Sequence, residues 1–238
     1  MKGIVLAGGT GSRLHPLTSV TNKHLLPVGR KPMIIHSVEK LVKSNITNIM
    51  IVTGTEYMGD MISLLGSGKD YKCEITYRVQ DTPDGIAGAL LLCEDFCGDS
   101  DFVVILGDNI FKNSLDKPMK KFKSISEYPK CLLNLYSVED PRRFGVPTIS
   151  NGNIVKITEK PKNPDSEYCV TGVYFYDKNA FKFAKRLKKS DRDEYEITDV
   201  NNCYIQEGFV GYNILDSWWT DAGTHKSYQL ANRFCGEL

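Results

Sequence analysis

The sequence lacks most of what would place it quickly in a functional class. No apolar run approaches the roughly 18 residues needed to cross a bilayer, and the start, Met1-Lys2-Gly3-Ile4, has no secretory apolar segment. An excess of one charge is missing too. The 30 Lys+Arg stand against 29 Asp+Glu, a net +1 at pH 7, which excludes a nucleic-acid binder acting through its overall field but leaves room for a local anion pocket. The seven cysteines (Cys73, Cys93, Cys97, Cys131, Cys169, Cys203, Cys235) contain no CxxC pair and are odd in number, so neither a zinc ribbon nor a disulfide scaffold is indicated. His15, His24, His36 and His225 supply no HxxxH pair. There is no repeat, low-complexity tract or linker. The expectation is a soluble protein of a reducing compartment, the cytoplasm, with neither membrane nor nucleic acid as partner. With 238 residues, 41% of them hydrophobic, a sizeable core is available without disulfides or structural metal.

What is present begins with Gly3-Ile4-Val5-Leu6-Ala7, an unbroken apolar run stopped by Gly8-Gly9. Such a run reads as a strand buried on both faces, as in a parallel sheet. The pattern returns at Asn48–Thr53 and at Phe102–Leu106. Between these runs, Ile34, Val38, Leu41 and Val42 have helical spacing, as do Ile86, Ala89, Leu90 and Cys93. Alternating strand and helix predicts an α/β fold with a doubly wound, mostly parallel sheet, and ligands beyond the carboxyl ends of its strands. After residue 140 the texture becomes β-rich. Val146–Ile149 and Ile154–Thr158 flank Asn151-Gly152, a hairpin signal. Tyr168–Tyr176 is a further strand, Asn179–Lys188 and Ile197–Gln206 read as helices, and Trp218–Asp221 resembles a strand end. One domain, 1–238, is expected, with halves 1–137 and 138–238 and a smaller β-rich insertion or lid in the second. Cys93 and Cys97, four apart, read as core; the basic residues of 182–189 read as a solvated face, and His36 as a structural histidine.

Gly8-Gly9-Thr10-Gly11-Ser12-Arg13 follows the first strand directly. Three glycines in four positions let backbone approach a ligand closely and turn N–H groups toward an anion, and Arg13 adds a planar cation suited to phosphate oxygens. A dinucleotide fingerprint would need glycine at Leu14, and no Gly-Lys-Ser/Thr exists for a P-loop. The same loop would also serve as a plain tight connection. Read as a site, it indicates a nucleotide phosphate without naming the reaction.

GGTGSRLHPLT at 8–18 resembles the signature loop of the sugar nucleotidyltransferases (NDP-sugar pyrophosphorylases), and KHLLPV at 23–28 their lysine motif. Further matches run in order: VQDTPDGIAGAL at 79–90, LGDN at 106–109, RFGV at 143–146, EKP at 159–161, VTGVYFYD at 170–177, EITDVN at 196–201 and WWTDAGTH at 218–225. The resemblance covers essentially the whole chain. It implies Mg²⁺-dependent nucleotidyl transfer from dTTP to glucose 1-phosphate, giving dTDP-glucose and pyrophosphate, for deoxysugar (rhamnose) or surface-polysaccharide synthesis. Uridylyl or cytidylyl transfer to another hexose 1-phosphate, and a non-catalytic nucleotide-sugar sensor on the same fold, are the alternatives; a nicotinamide oxidoreductase is disfavoured by Leu14. The implied partners are these small molecules, and a homo-oligomer is compatible with the sequence.

The resemblance also implies roles. Arg13 would stabilise the leaving pyrophosphate and Lys23 the α-phosphate, while Asp108 and Asp221 would hold the metal. Leu6, Ala7, Gly8, Gly9, Thr10, Gly11, Ser12, Arg13, Gln80, Pro83 and Gly85 would bind the nucleotide. Asn109, Gly145, Glu159, Lys160, Val170, Thr171 and Arg192 would bind the sugar phosphate, Lys160 taking a catalytic part. Two polyanions must meet, which is why cations, metal carboxylates and glycine backbone suit this chemistry and no Ser or Cys nucleophile is needed. The sequence departs from the family at Phe144, often Tyr in thymidylyl-transferring members, at Pro147-Thr148, and at His24, where Gln is frequent. Long members carry a further C-terminal segment that helps form a regulatory nucleotide site; a chain ending at Leu238 is expected to lack that regulation.

Overall fold

Seven strands carry the architecture of the computed structural model, which describes residues 1–236. Their hydrogen-bonded order is Phe209–Ile214, Lys130–Ser137, Tyr168–Tyr176, Phe102–Leu106, Lys2–Ala7, Asn48–Gly54, Glu74–Gln80. Lys2–Ala7 pairs in parallel with Asn48–Gly54, which pairs in parallel with Glu74–Gln80. Lys130–Ser137 is parallel to Phe209–Ile214 and antiparallel to Tyr168–Tyr176. The fold is thus the expected α/β type with a mostly parallel, mixed sheet. No described helix is long and apolar enough to cross a membrane.

The chain divides into two compact units, one made of Met1–Pro83, Val104–Leu115 and the chain from Ser217 onward, the other of Asp84–Val103 and Asp116–Asp216. The units cut across halves at 1–137 and 138–238: 84–103 and 116–137 fall in the second unit and the last stretch in the first. Strand Phe102–Leu106 gives its first two residues to the second unit and its last three to the first.

In the first unit, Gly3 through Ala7 are buried, as an apolar run without alternation demands. A β-carbon on Gly3 would lie 2.9 Å from Leu41 Cδ1, so its bare α-carbon lets helix Met33–Lys43, which buries Met33, Ile34, Val38 and Leu41, bring Leu41 against the strand. A short ribbon pairs Asn109–Phe111 antiparallel to Trp219–Asp221, with Asp221 opposite Asn109. Helix His225–Gly236 follows. Ile110 and Ala222 from the ribbon join Val28, Met33 and Ala231 in a core packed by Trp218, Tyr228 and Cys235. That core fixes the ribbon and the site it carries.

In the second unit the expected hairpin forms between Gly145–Ser150 and Asn153–Glu159, with Asn151 (φ 49°) and Gly152 (φ 76°) both left-handed at its turn. The segment expected as one helix through Cys93 is instead two, Ile86–Leu91 and Glu94–Cys97, with Cys93 and Cys97 both buried. Helix Asn179–Ala184 stops short of Lys188, and Ile197–Glu207 forms as expected. Lys185, Arg186 and Lys189 beyond the shorter helix are ion-paired with Glu94, Glu207 and Asp193 at the surface. Two motif residues prove structural. Asp177 accepts from Tyr204 Oη (2.6 Å) and from the Lys130 and Asn179 amides (both 2.9 Å), and Asn201 Oδ1 accepts from Tyr176 Oη at 2.5 Å.

Candidate active site

The glycine loop of the first unit is shaped around one side chain. Among Gly8, Gly9 and Gly11, only Gly11 has a left-handed backbone (φ 70°). A β-carbon on Gly9 would lie 3.3 Å from Lys23 Nζ, and one on Gly11 only 2.9 Å from Lys23 Cβ; the glycines let Lys23 pass beneath the loop. Thr18 Oγ1 donates to the Gly11 carbonyl at 2.9 Å and ties the far side down. Ser12–Leu14 form a single 3-10 turn with Leu14 buried and Arg13 exposed. A β-carbon on Gly8 would stand 2.7 Å from Gln80 Oε1, so the carboxamide expected at the base lies against the first glycine. Pro83, also expected there, is exposed at the end of this stretch.

Asp108 follows strand Phe102–Leu106, and Gly107 N donates to the Leu6 carbonyl at 2.9 Å. Lys23 Nζ donates to Asp108 Oδ2 at 2.5 Å, the two side chains being only 12% and 14% exposed. Asn109 Nδ2 donates to Asp108 Oδ1 at 3.0 Å, and Trp219 Nε1 donates to Asn109 Oδ1 at 2.8 Å. Asn109, expected at the sugar phosphate, thus has a side chain that orients the carboxylate beside it. Burial is the largest single influence on the Asp108 carboxyl and pushes it up, but the Lys23 charge and the hydrogen bonds from Lys23 and Asn109, acting together with the neighbouring groups, hold it below the usual carboxylate range.

His24 supports this turn from below. A β-carbon on Gly107 would lie 2.7 Å from His24 Cδ2. Burial, with the Lys23 charge, lowers its pKa to about 3, so the ring is neutral. Asn22 Oδ1 accepts from the His24 amide at 2.8 Å and lies 2.8 Å from the ring Nδ1, which fixes the orientation of the imidazole. Sequence reasoning saw His24 only as a departure from Gln.

Asp221 reaches the same place along the ribbon, where Ala222 N donates to the Asp108 carbonyl at 2.7 Å. The β-carbon position of Gly223 lies 3.2 Å from Arg13 Nη2, 3.4 Å from Asp108 Oδ2 and 3.6 Å from Asp221 Oδ2. The separation of the two carboxylate oxygens is therefore bounded by the sum of the last two distances. Among the described residues no cluster of three or more His, Cys, Asp or Glu could hold a metal ion. A carboxylate pair beside cations suits Mg²⁺, which binds through one or two carboxylates and completes its octahedron with water and substrate phosphate.

In the second unit, Gly85 (φ 102°) is pinned against Tyr195: Tyr195 N donates to the Asp84 carbonyl at 2.7 Å and Ala87 N to the Tyr195 carbonyl at 3.1 Å. Glu159 ends its hairpin strand opposite Gly145. Thr198 Oγ1 donates to Glu159 Oε2 at 2.6 Å, and a β-carbon on Gly145 would stand 3.0 Å from that hydroxyl, which explains the glycine. Lys160, left-handed at φ 43°, lies with Nζ 3.5 Å from Glu159 Oε1. Arg192 Nη2 is 3.4 Å from the same oxygen and grips Glu196 at 2.7 and 2.8 Å. Thr198 and Glu196, in the EITDVN segment, were given no role from sequence. Val170 and Thr171 are buried, and the Thr171 hydroxyl donates to the Asn134 carbonyl at 2.8 Å, so their side chains serve the core.

Known proteins match this arrangement along its length. The nucleotidyl transferase family model matches residues 2–237. Glucose-1-phosphate thymidylyltransferase of Neisseria meningitidis is 42% identical over 238 residues, covering 98% of this chain and 82% of its own. That of Xanthomonas campestris is 41% identical over 236 residues, covering 98% and 80%. A Bacillus anthracis protein, provisionally described as a glucose-1-phosphate thymidylyltransferase and crystallised with sucrose, superposes with a TM-score of 0.95 at 55% identity, covering 100% of this chain and 96% of that one.

Proposed function

The chain belongs to the nucleotidyl transferase family, and from that premise we propose that it transfers a thymidylyl group from dTTP to glucose 1-phosphate, with Mg²⁺, in the cytoplasm. The choice of nucleotide and sugar is supported by the relatives that carry that activity in their names. The observation that carries the chemistry is the convergence of Asp108, Asp221 and Arg13 on one point beside Gly223, with Lys23 bound to Asp108.

A phosphate monoester dianion is already a nucleophile. One of its oxygens forms a bond to the α-phosphorus in line, the bond from that phosphorus to the bridging oxygen breaks, and pyrophosphate leaves with the electron pair; no general base is needed. The protein neutralises and aligns. Arg13 meets the leaving pyrophosphate. Lys23, now on Asp108, would turn to α-phosphate oxygen, and Asp108 and Asp221 would hold the metal, which would neutralise charge on the triphosphate. Gln80 pairs with the pyrimidine edge, and Leu6 to Ser12 and the Pro83-Asp84-Gly85 turn surround the nucleotide with backbone. On the sugar side, Glu159, already fixed at one oxygen by Thr198, accepts sugar hydroxyls. Lys160 and Arg192 take the phosphate, and Asn109, Gly145 and the backbone of Val170-Thr171 complete the set.

The test is a substrate matrix: dTTP and each common ribonucleoside triphosphate against several sugar 1-phosphates with Mg²⁺, followed by pyrophosphate release. The dTTP and glucose 1-phosphate pair is expected to give the highest kcat/KM. A faster reaction with UTP or CTP on another hexose phosphate replaces the substrate assignment, and no pyrophosphate from any pair removes the enzyme reading.

A further inference from the structure

Several glycines of the chain are explained by backbone or packing. Gly11 and Gly85 need left-handed φ, and a side chain on Gly208 would strike the Pro129 backbone. Gly223 fits neither account. It is absent from the left-handed glycines, so its backbone accepts an L residue. The three atoms nearest its β-carbon position are no core carbons but charged ends: Arg13 Nη2 at 3.2 Å, Asp108 Oδ2 at 3.4 Å and Asp221 Oδ2 at 3.6 Å. These are tight or ordinary contact distances, so a methyl group fits here without moving backbone.

What the missing side chain preserves is therefore space among charges. We propose that Gly223 is a steric positioning residue: its bare α-carbon keeps open the volume between the two carboxylates and the guanidinium, in which a hydrated divalent ion and triphosphate oxygens are accommodated. A methyl group at that point stands in contact with both ligand oxygens. It occupies room that an octahedral ion with oxygens at about 2.1 Å needs for its remaining ligands. The inference rests on the aspartates being the metal ligands, as proposed above.

The two ideas separate experimentally. Mn²⁺ serves as the probe, its protein-bound fraction read by electron paramagnetic resonance with dTTP and no sugar phosphate, for the wild type, Gly223→Ala and Asp108→Asn. Thermal unfolding is measured in EDTA. In Gly223→Ala the Mn²⁺ dissociation constant is expected to rise about 10-fold or more, the scale of disturbing a metal's supporting groups. Its Tm in EDTA should stay level or rise by about 2 °C, since alanine restricts the unfolded chain where the native φ permits it. Wild-type Mn²⁺ affinity in Gly223→Ala alongside loss in Asp108→Asn overturns the role of Gly223 and leaves the carboxylate site standing. Wild-type affinity in both overturns the carboxylate site and this inference with it. A marked fall in Tm for Gly223→Ala shows a folding glycine and also overturns the proposal.

Discussion

Asp108 and Glu159 are both carboxylates delivered by strands, yet the two units treat them in opposite ways. Asp108 is nearly buried and meets one ammonium at 2.5 Å, with Asn109 on its other oxygen and Trp219 behind Asn109. Glu159 is 27% exposed; its cations stand off at 3.4 and 3.5 Å, Lys160 is 42% exposed, and Arg192 spends its best hydrogen bonds on Glu196. In the first unit charge is set by burial and a single close contact. In the second it is spread over a solvated network with members to spare. Buried pairs are unforgiving because losing one partner strands the other, whereas exposed pairs are screened and replaceable.

The sharpest break in this contrast is Asp108→Asn, which should lower kcat by roughly 10²–10³-fold, the scale of removing one partner of transition-state charge; near-wild-type kcat in a folded variant would show that this carboxylate takes no part. Stability gives the next contrast. Lys23→Met leaves a buried carboxylate unpaired and should cost about 3 kcal/mol, while Lys160→Met should cost less than about 1 kcal/mol. Equal urea midpoints for the two variants would erase the distinction. Within the second unit, Thr198→Val removes the one short bond to Glu159, worth about 1 kcal/mol, and should raise KM for the sugar phosphate several-fold while leaving KM for the nucleotide alone. Smallest is a pH effect from a residue outside both charge networks. Burial lowers the His36 pKa below 6.5, and Nε2 stays on the Val28 carbonyl at 2.9 Å. Its unfolded form binds the proton first, so this group costs stability as pH falls through 6.5. His36→Gln should flatten that part of a Tm-against-pH curve.

Much of the fold was legible where local pattern and tertiary role coincide. Gly3–Ala7 and Phe102–Leu106 are apolar runs because both their faces are covered, and Asn151-Gly152 takes the left-handed turn that its residues favour. Strand Glu74–Gln80 escaped notice because it lies at the sheet edge, where its burial is mixed and charged Glu74 and Arg78 are exposed. Strand Lys130–Ser137 opens with a lysine, a poor herald of a core strand; its Nζ is satisfied by the Ile125 carbonyl at 3.0 Å. At the site, motif matching singled out Arg13, Lys23, Asp108 and Asp221, which lie together in the structure. It did not find that Asn109 orients Asp108 or that Thr198 holds Glu159. Asn109 is itself held by Trp219, 110 positions away, and Thr198 lies 39 positions from Glu159; no periodicity reports such pairings. The His24 imidazole beneath Gly107 is likewise a matter of volume, invisible until the turn above it is placed.

The first unit is written in three stretches, the last starting at Ser217, and that stretch supplies Trp219, Asp221 and Gly223. A ribosome therefore releases Arg13, Lys23 and Asp108 long before the acid that completes their company. The ribbon that pairs Asn109–Phe111 with Trp219–Asp221, and the core that Ile110 shares with Ala222 and Ala231, can therefore close only once that last stretch has been made.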